Sequence, residues 1–397
     1  MSRPNQFLSP EGDIEDYFVD EYWLIDQYIG DALWSWGSSL YGQLGNGVTT
    51  NRSTPVTTFA GGTNWKQVSA GDRHTAAIKT DGTLWTWGNG GAGRLGNGTT
   101  GGNRITPVTT FAGGTNWKQV SCGDDNTAAI KTDGTLWVWG FNVPGTLGNA
   151  LTTNASTPVT TFAGGTNWKQ VSCKLDSTAA IKTDGTLWTW GQGASGQLGN
   201  ALTTNASTPV TTFAGGNNWK QVSIRNIAAA IKTDGTLWTW GFNESGSLGN
   251  GITTGGVSTP VTTFLGGTNW KQADVYFNTA AIKTDGTLWI WGGAGSGRIG
   301  NGTTAGSIST PVTTFAGGTN WKQVSAGDSH TAAIKTDGTL WIWGTGTNGR
   351  LGNGVTTGSI STPITTFAGG TNWKQVSSGG FHTATVQAGM NAEYPLS

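Results

Sequence analysis

Apolar and polar positions alternate with a period of two over short runs, in a unit that returns every 50 to 52 residues. In one such unit Gln67-Val68-Ser69 and Thr75-Ala76-Ala77-Ile78-Lys79 read as short strands, and Leu84-Trp85-Thr86-Trp87-Gly88 as a third. Trp85 and Trp87 are two apart and face one side of the sheet, while Leu84 and Thr86 face the other. Asp81-Gly82 joins the second strand to the third, a two-residue hairpin signal that recurs at Asp133, Asp184, Asp234, Asp285 and Asp337. A Thr-Pro-Val or Thr-Pro-Ile segment supplies the fourth strand, at Pro55, Pro107, Pro158, Pro209, Pro260, Pro311 and Pro363. Proline there suits an outer edge that need not donate to a ladder.

Four antiparallel strands in a unit of this length predict a propeller blade, which buries its apolar faces only against its neighbours. The termini predict how the ring closes. An unpaired third strand, Leu33 to Gly37, opens the repeat region, and an unpaired second strand, His382 to Gln387, ends it. Each supplies what the other lacks, so a seventh blade forms from both ends and no sheet edge is left open. The expected fold is an all-β, seven-bladed propeller over residues 32–387, with an N-terminal extension (1–31) and a tail (388–397).

Composition changes this picture little. Glycine is abundant, 66 of 397 residues, but glycine and proline together stay below the roughly 25–30% of low-complexity chains, and 22 tryptophans supply a core. Zero formal net charge argues against a general nucleic-acid binder. No transmembrane run or secretory leader is visible, so neither membrane insertion nor Sec export is expected. Charge is nevertheless unevenly placed. Residues 1–31 carry eight acids, Glu11, Asp13, Glu15, Asp16, Asp20, Glu21, Asp26 and Asp31, against Arg3, so the remainder holds the compensating positive excess. Cys122 and Cys173 occupy equivalent positions of consecutive repeats, compatible with two small buried thiols or with a disulfide.

The run from Gln67 to Ile78, followed by Leu84-Trp85-Thr86-Trp87-Gly88 and Gly93-Arg94-Leu95-Gly96, resembles the regulator-of-chromosome-condensation repeat, and all seven units share the likeness. The resemblance implies a seven-bladed propeller with the first strand of each blade lining a central channel. It implies no single activity, because its members include a small-GTPase exchange factor, a plant ultraviolet-B photoreceptor and bacterial β-lactamase inhibitors. The opening segments Phe7 to Gly12 and Glu21 to Tyr28 are also similar to propeller proteins encoded by marine cyanophages.

Variation among the seven copies concentrates in two connections, between strands one and two and after each Trp-Gly, which share one face of the disc. Asp72, Arg73, Asp124, Asp125, Phe141, Leu175, Asp176, Arg225, Ile227, Phe242, Tyr276 and Phe277 fall there and form the candidate partner-binding face, directed at an unknown protein or glycan. The alternative is drift of unconstrained loops whose apolar side chains fold inward. The opposite face is nearly invariant between copies.

Catalytic ingredients are sparse, and neither enzyme activity nor a cofactor is expected. His74, His330 and His382 share one repeat position, but neighbouring blades should hold them too far apart for zinc, whose nitrogen ligands converge to about 2.0–2.1 Å. The loop aspartates lack the compact oxygen set of a calcium site, so no metal is expected. The Gly-x-Leu-Gly-Asn-Gly runs are followed by no lysine and no helix, unlike phosphate loops. All 22 tryptophans are accounted for by third-strand pairs, the Asn-Trp-Lys positions and Trp23, which leaves no indole in the variable connection and argues against light sensing. The exchange-factor reading finds no wedge and no lysine-rich localisation signal.

In the extension, Ser9-Pro10 reads as a helix start and Gly30 as a stop, with Ile14, Phe18, Tyr22, Ile25 and Ile29 at helical spacing, although Tyr17-Phe18-Val19 equally suits a strand. Tyr17, Phe18, Tyr22, Trp23, Leu24 and Ile25 are too apolar for a free tail; they either pack on the disc or plug it into an assembly. The expected role is a non-enzymatic virion protein of a tailed phage, assembled in the host cytoplasm. Residues 1–31 would anchor it to other virion proteins and the variable face would be displayed. The alternative is a soluble regulatory or inhibitory binding module of the same repeat family.

Overall fold

The structure, a computed structural model, describes residues 30–389. Seven four-stranded antiparallel sheets make seven blades. Blade one runs outward from the inner strand Trp65–Ala70 through His74–Lys79 and Leu84–Gly88 to the outer strand Arg104–Thr109, and blades two to six repeat this order. Blade seven is split as expected. Trp373–Ser378 and His382–Gln387 supply its inner strands, and Ala32–Gly37 and Arg52–Thr57 its outer ones. The seam is a six-residue register in which Leu33 opposes Val386 and Trp36 opposes Thr383.

The Asp-Gly turns close the hairpins at one face. Gly82 holds φ +81°, and a Cβ there would lie 2.1 Å from the carbonyl oxygen of Thr115 in the link to the next blade. Asp81 accepts the backbone N–H and the hydroxyl of Thr83 at 2.9 and 2.7 Å, and these bonds hold its carboxyl below the usual carboxylate range.

The core lies between blades. Trp65, Val68 and Trp87 of blade one pack against Leu33, Ala384 and Val386 of blade seven. The third-strand tryptophans share a face but not a role. Trp87 is fully buried and edge-on to Trp65 at 6.2 Å, whereas Trp85, nearer the solvent end, joins Trp65 in sandwiching Lys79 at 5.0 and 4.9 Å. The Asn-Trp-Lys indole is therefore the second member of the interblade layer. Trp87 Nε1 donates to the Gln43 carbonyl of the preceding blade at 2.9 Å, and the six equivalent indoles do the same at 2.8–2.9 Å.

Around the axis the inner strands are stitched by glutamines. Gln67 donates to the carbonyl of Val120 and accepts its N–H, and the pattern continues through Gln119, Gln170, Gln221, Gln272, Gln323 and Gln375, which returns to Val68. These fourteen bonds span 2.8–3.2 Å. Two residues on, Ser69 and its equivalents accept the next inner strand's N–H, except in blade five, where Asp274 replaces serine. Cys122 and Cys173 are buried free thiols. The three histidines also join blades: each ring Nε2 meets a threonine hydroxyl of the next blade, at 2.8 Å for His74 with Thr127, 2.9 Å for His330 with Thr383, and 2.7 Å for His382 with Thr75. Burial and the nearby Arg350 charge push the His382 imidazole down to about 3, so it is neutral at ordinary pH.

On the Asp-Gly face every inner strand carries an exposed lysine at its second position: Lys66, Lys118, Lys169, Lys220, Lys271, Lys322 and Lys374. Further out, each outer strand is followed by an exposed phenylalanine, Phe59 and its six equivalents, 70–77% exposed.

Candidate functional site

The opposite face is built by the connections that vary. In blades four and five, as in blade three, the inner and second strands leave two residues between them, Arg225-Asn226 in blade four and Tyr276-Phe277 in blade five. Arg225 N–H reaches the Ile227 carbonyl at 2.7 Å and Tyr276 N–H the Asn278 carbonyl at 2.9 Å, so each turn is tight. Exposure then differs within the turns: Arg225 and Tyr276 are 6% and 4% exposed, Phe277 is 41% exposed.

The inward members meet partners from distant blades. Tyr276 Oη donates to Asp72 Oδ1 of blade one at 2.6 Å. Arg225 pairs with Asp124 of blade two, Nη2 to Oδ2 at 3.3 Å, and its guanidinium stacks on the rings of Tyr276 and Phe277 at 4.1 and 4.5 Å. Lys174 of blade three donates to Asp274 Oδ1 and to the Val275 carbonyl of blade five, both at 2.7 Å. Asp274 also accepts Ser223 Oγ at 2.7 Å and the Ala326 N–H at 2.9 Å. These side chains form a polar plug over the channel, whose interior is a cavity of about 180 Å³ lined by serines, glutamines, Lys174 and Asp274.

Burying like charges together has an electrostatic consequence. Desolvation, reinforced by the Asp72 charge and opposed by Arg225, pushes Asp124 up to about 7. Asp176 rises to about 6 through burial and the Asp125 charge. Burial also raises Asp72 against the bond from Tyr276, and it raises the Tyr276 phenol.

Beside the plug, between blades four and five, lies a cleft of about 490 Å³. Ile227, Phe242, Tyr276 and Phe277 give it apolar walls, and Asn226, Ser245, Ser247, Thr304 and Arg298 a polar rim. Asn226 Oδ1 is buried with no hydrogen-bond partner among the described residues. Such a combination suits an inserted apolar side chain whose backbone finds hydrogen bonds at the rim.

Of the residues singled out from sequence, Ile227, Phe242, Tyr276 and Phe277 are brought together in this cleft, and Asp72, Asp124 and Arg225 in the plug. Asp125 pairs with Arg94, Leu175 N–H reaches Asp124 Oδ1 at 3.3 Å, and Arg73 is exposed with its guanidinium 5.5 Å from the Tyr41 ring. Phe141 and Asp176 are half-buried and do not line the cleft. The anchor residues Tyr17, Phe18, Tyr22, Trp23, Leu24 and Ile25 lie outside the described residues. Sequence reasoning missed Lys174, Asp274 and Arg298 as site residues. Asp274 was signalled by Gln-Ala-Asp standing where other repeats read Gln-Val-Ser. Arg94, Arg298 and Arg350 share one repeat position and one contact, a guanidinium bond to a loop carbonyl of the next blade at 2.7–3.0 Å. Among the described residues no cluster of three histidine, cysteine or acidic side chains is arranged to hold a metal.

The RCC1-like domain pattern matches residues 29–275, and the regulator of chromosome condensation (RCC1) repeat matches residues 285–334 and 337–386. The ultraviolet-B receptor UVR8 of Arabidopsis thaliana is 32% identical over 341 residues, covering 82% of this chain and 75% of the receptor. The E3 ubiquitin-protein ligase HERC2 of Homo sapiens is 31% identical over 176 residues, 42% of this chain but 4% of that protein. Among solved structures, human WBSCR16 superposes with a TM-score of 0.79 at 21% identity, covering 90% of this chain and 99% of that one. Prp20p of Saccharomyces cerevisiae, described with its binding to Gsp1p and histones, also gives 0.79, at 18% identity and 92% and 93% coverage. These two likenesses show the fold alone. With the family pattern spanning most of the chain and every blade carrying its repeat, the protein belongs to the RCC1-like repeat family.

Proposed function

We propose that this protein is a non-enzymatic regulatory binding module that engages a protein partner through the loop face at blades four and five. One observation carries the reading: Ile227, Phe242, Tyr276 and Phe277, four of the residues that depart from the repeat, converge on one cleft beside the plug that Tyr276 and Asp72 help to close. A rigid rim with an exposed aromatic beside an arginine has the composition of an interface anchor. The relatives support a protein-binding role, since Prp20p is described with binding to Gsp1p and histones. The virion-anchored reading rests on residues 1–31, of which Gly30 and Asp31 alone are described, and the relatives above favour the regulatory reading over it.

The test is site-directed photocrosslinking. A photoreactive phenylalanine analogue replaces Phe277 in the full chain, which is incubated with native extract. The expected result is one dominant adduct that is lost when Arg298→Glu is added and kept when the crosslinker chain carries Asp133→Asn on the opposite face. Equal crosslinking with and without Arg298→Glu would refute the cleft as the docking point.

A further inference from the structure

Arg94, Arg298 and Arg350 share one repeat position, but their charges are met differently. Arg94 donates to the Asp124 carbonyl and pairs with the Asp125 carboxylate, both of blade two. Arg350 donates to the Gly380 carbonyl of blade seven at 2.9 Å, and its Nη1 lies 3.9 Å from Asp328 Oδ2. Arg298 makes the same kind of backbone bonds, Nε to the Gly295 carbonyl at 2.9 Å and Nη1 to the Asp328 carbonyl at 2.7 Å. Among the described residues it makes no ion pair.

The cause is one residue. Aligned by repeat, the place that Asp125 holds in blade two is taken in blade six by Ser329, whose hydroxyl donates to Asp328 Oδ2 at 2.7 Å. The Asp328 charge acts on Arg298 only from beyond ion-pair reach, and Glu244, next to the lining residue Ser245, is exposed and pairs with no cation among the described residues. Arg298 is thus a half-buried guanidinium clamped by two carbonyls, and its Nη2 has no protein partner among the described residues. Burial works against that charge and holds the group below its ordinary value.

The groups around it complete a pattern. The Phe277 ring stands 5.6 Å from the Arg298 guanidinium, and Ile227 and Phe242 extend the apolar wall. The same ring lies 4.5 Å from Arg225, but Asp124 already meets that cation. Asn226 Oδ1 adds a buried acceptor that lacks a donor. A matching ligand brings one negative charge, an apolar side chain close beside it, and an N–H. A single guanidinium neutralises a carboxylate fully and a doubly charged phosphate only in part.

We propose that the cleft binds an acidic–hydrophobic segment of the protein partner, with an Asp or Glu side chain on Arg298 and an aromatic or branched aliphatic side chain, one or two residues away, against Ile227, Phe242 and Phe277. This inference rests on the docking reading above and adds a charge requirement to it. Because the guanidinium is fixed before the partner arrives, little of its freedom is lost on binding.

The test selects linear heptapeptides from a random displayed library on the full chain. Sequences with an acid within two residues of a large apolar side chain should be enriched. A selected peptide, synthesised with both ends blocked so that no terminal carboxylate contributes, is then titrated by fluorescence polarisation. Replacing its acid by the amide should weaken binding roughly tenfold, Arg298→Gln should do the same, and the two together should cost little more than either alone. Ser329→Asp is the second variant: it restores the acid that Arg94 has, keeps the Arg298 side chain and its clamp, and should also lower affinity roughly tenfold by filling the charge from within. Enrichment of peptides without acids, unchanged affinity in Ser329→Asp, or additive losses in the double change would each overturn the charge requirement. A partner that still crosslinks from Phe277 while its acid proves dispensable would leave the docking reading standing; loss of both would remove the two together.

Discussion

The two faces of the disc are held by bonds of different reach. On the Asp-Gly face, Asp81 binds a threonine two residues away, and the same bond recurs at each of the six turns. On the loop face, Tyr276 binds an aspartate 204 residues away, and Arg225 and Lys174 bind acids 101 and 100 residues away. Local, repeated bonds make a blade; long, unique bonds give the disc one distinguishable orientation about its axis. A substitution on the first face removes one copy among several, whereas a substitution in the plug removes something with no duplicate.

The contrast predicts a graded series. Deleting residues 32–37 opens blade seven on both sides, and the largest effect follows: loss of the cooperative thermal transition by circular dichroism, where an unchanged melting temperature would contradict the split blade. Replacing a buried interblade indole, Trp87→Ala, should cost about 3–5 kcal/mol in denaturant unfolding. Tyr276→Phe leaves the half-buried Asp72 carboxylate without its phenol and should cost about 1–3 kcal/mol, while Asp133→Asn on the exposed turn should stay within about 0.5 kcal/mol. Equal costs for these last two would erase the distinction between the faces.

A pH series sharpens it. Asp124 is raised in the folded state to about 7, so between the ordinary carboxylate value and about 7 the folded chain binds more protons than the unfolded one, and this group's contribution to stability falls as pH rises through that window. The melting-temperature difference between Asp124→Asn and the parent should therefore grow in favour of the variant from pH 4 to pH 7. The difference for Asp133→Asn should stay nearly level over the upper part of that range and move in the variant's favour only on acidification: its carboxyl is lowered by bonds from Thr135, so the stability it lends is present above the ordinary carboxylate value and lost below it. Parallel slopes for the two variants would mean that the plug does not bury its charge.

The architecture was legible because it is written many times. Closure needed only the orphan strands Leu33 to Gly37 and His382 to Gln387, and the Asp-Gly turns announced each hairpin. The site was legible in part. Tyr276, Phe277, Arg225 and Ile227 stood out as departures from the repeat, but which of them is buried depends on how tight turns from two neighbouring blades meet. Their partners, Asp72 and Asp124, lie across the channel, where no local pattern reaches. The glutamine ring was invisible for the opposite reason. Gln67 looks like any polar strand residue until the backbone of the neighbouring inner strand is placed beside it.

That glutamine ring has a sense of rotation. Every blade reaches forward to the next, and blade seven reaches to blade one, so each junction uses the same plug and the same socket. At the level of the inner strands, blades are interchangeable parts. Re-ordering the repeats along the chain would leave those junctions intact and scatter the residues that must find each other over the channel, because Lys174 needs its acid two positions onward and Tyr276 needs its own three positions onward around the circle. The glutamine-joined scaffold can thus be copied and shuffled, and the loops, with Lys174 and Asp274 at the ends of their inner strands, carry the address of each blade.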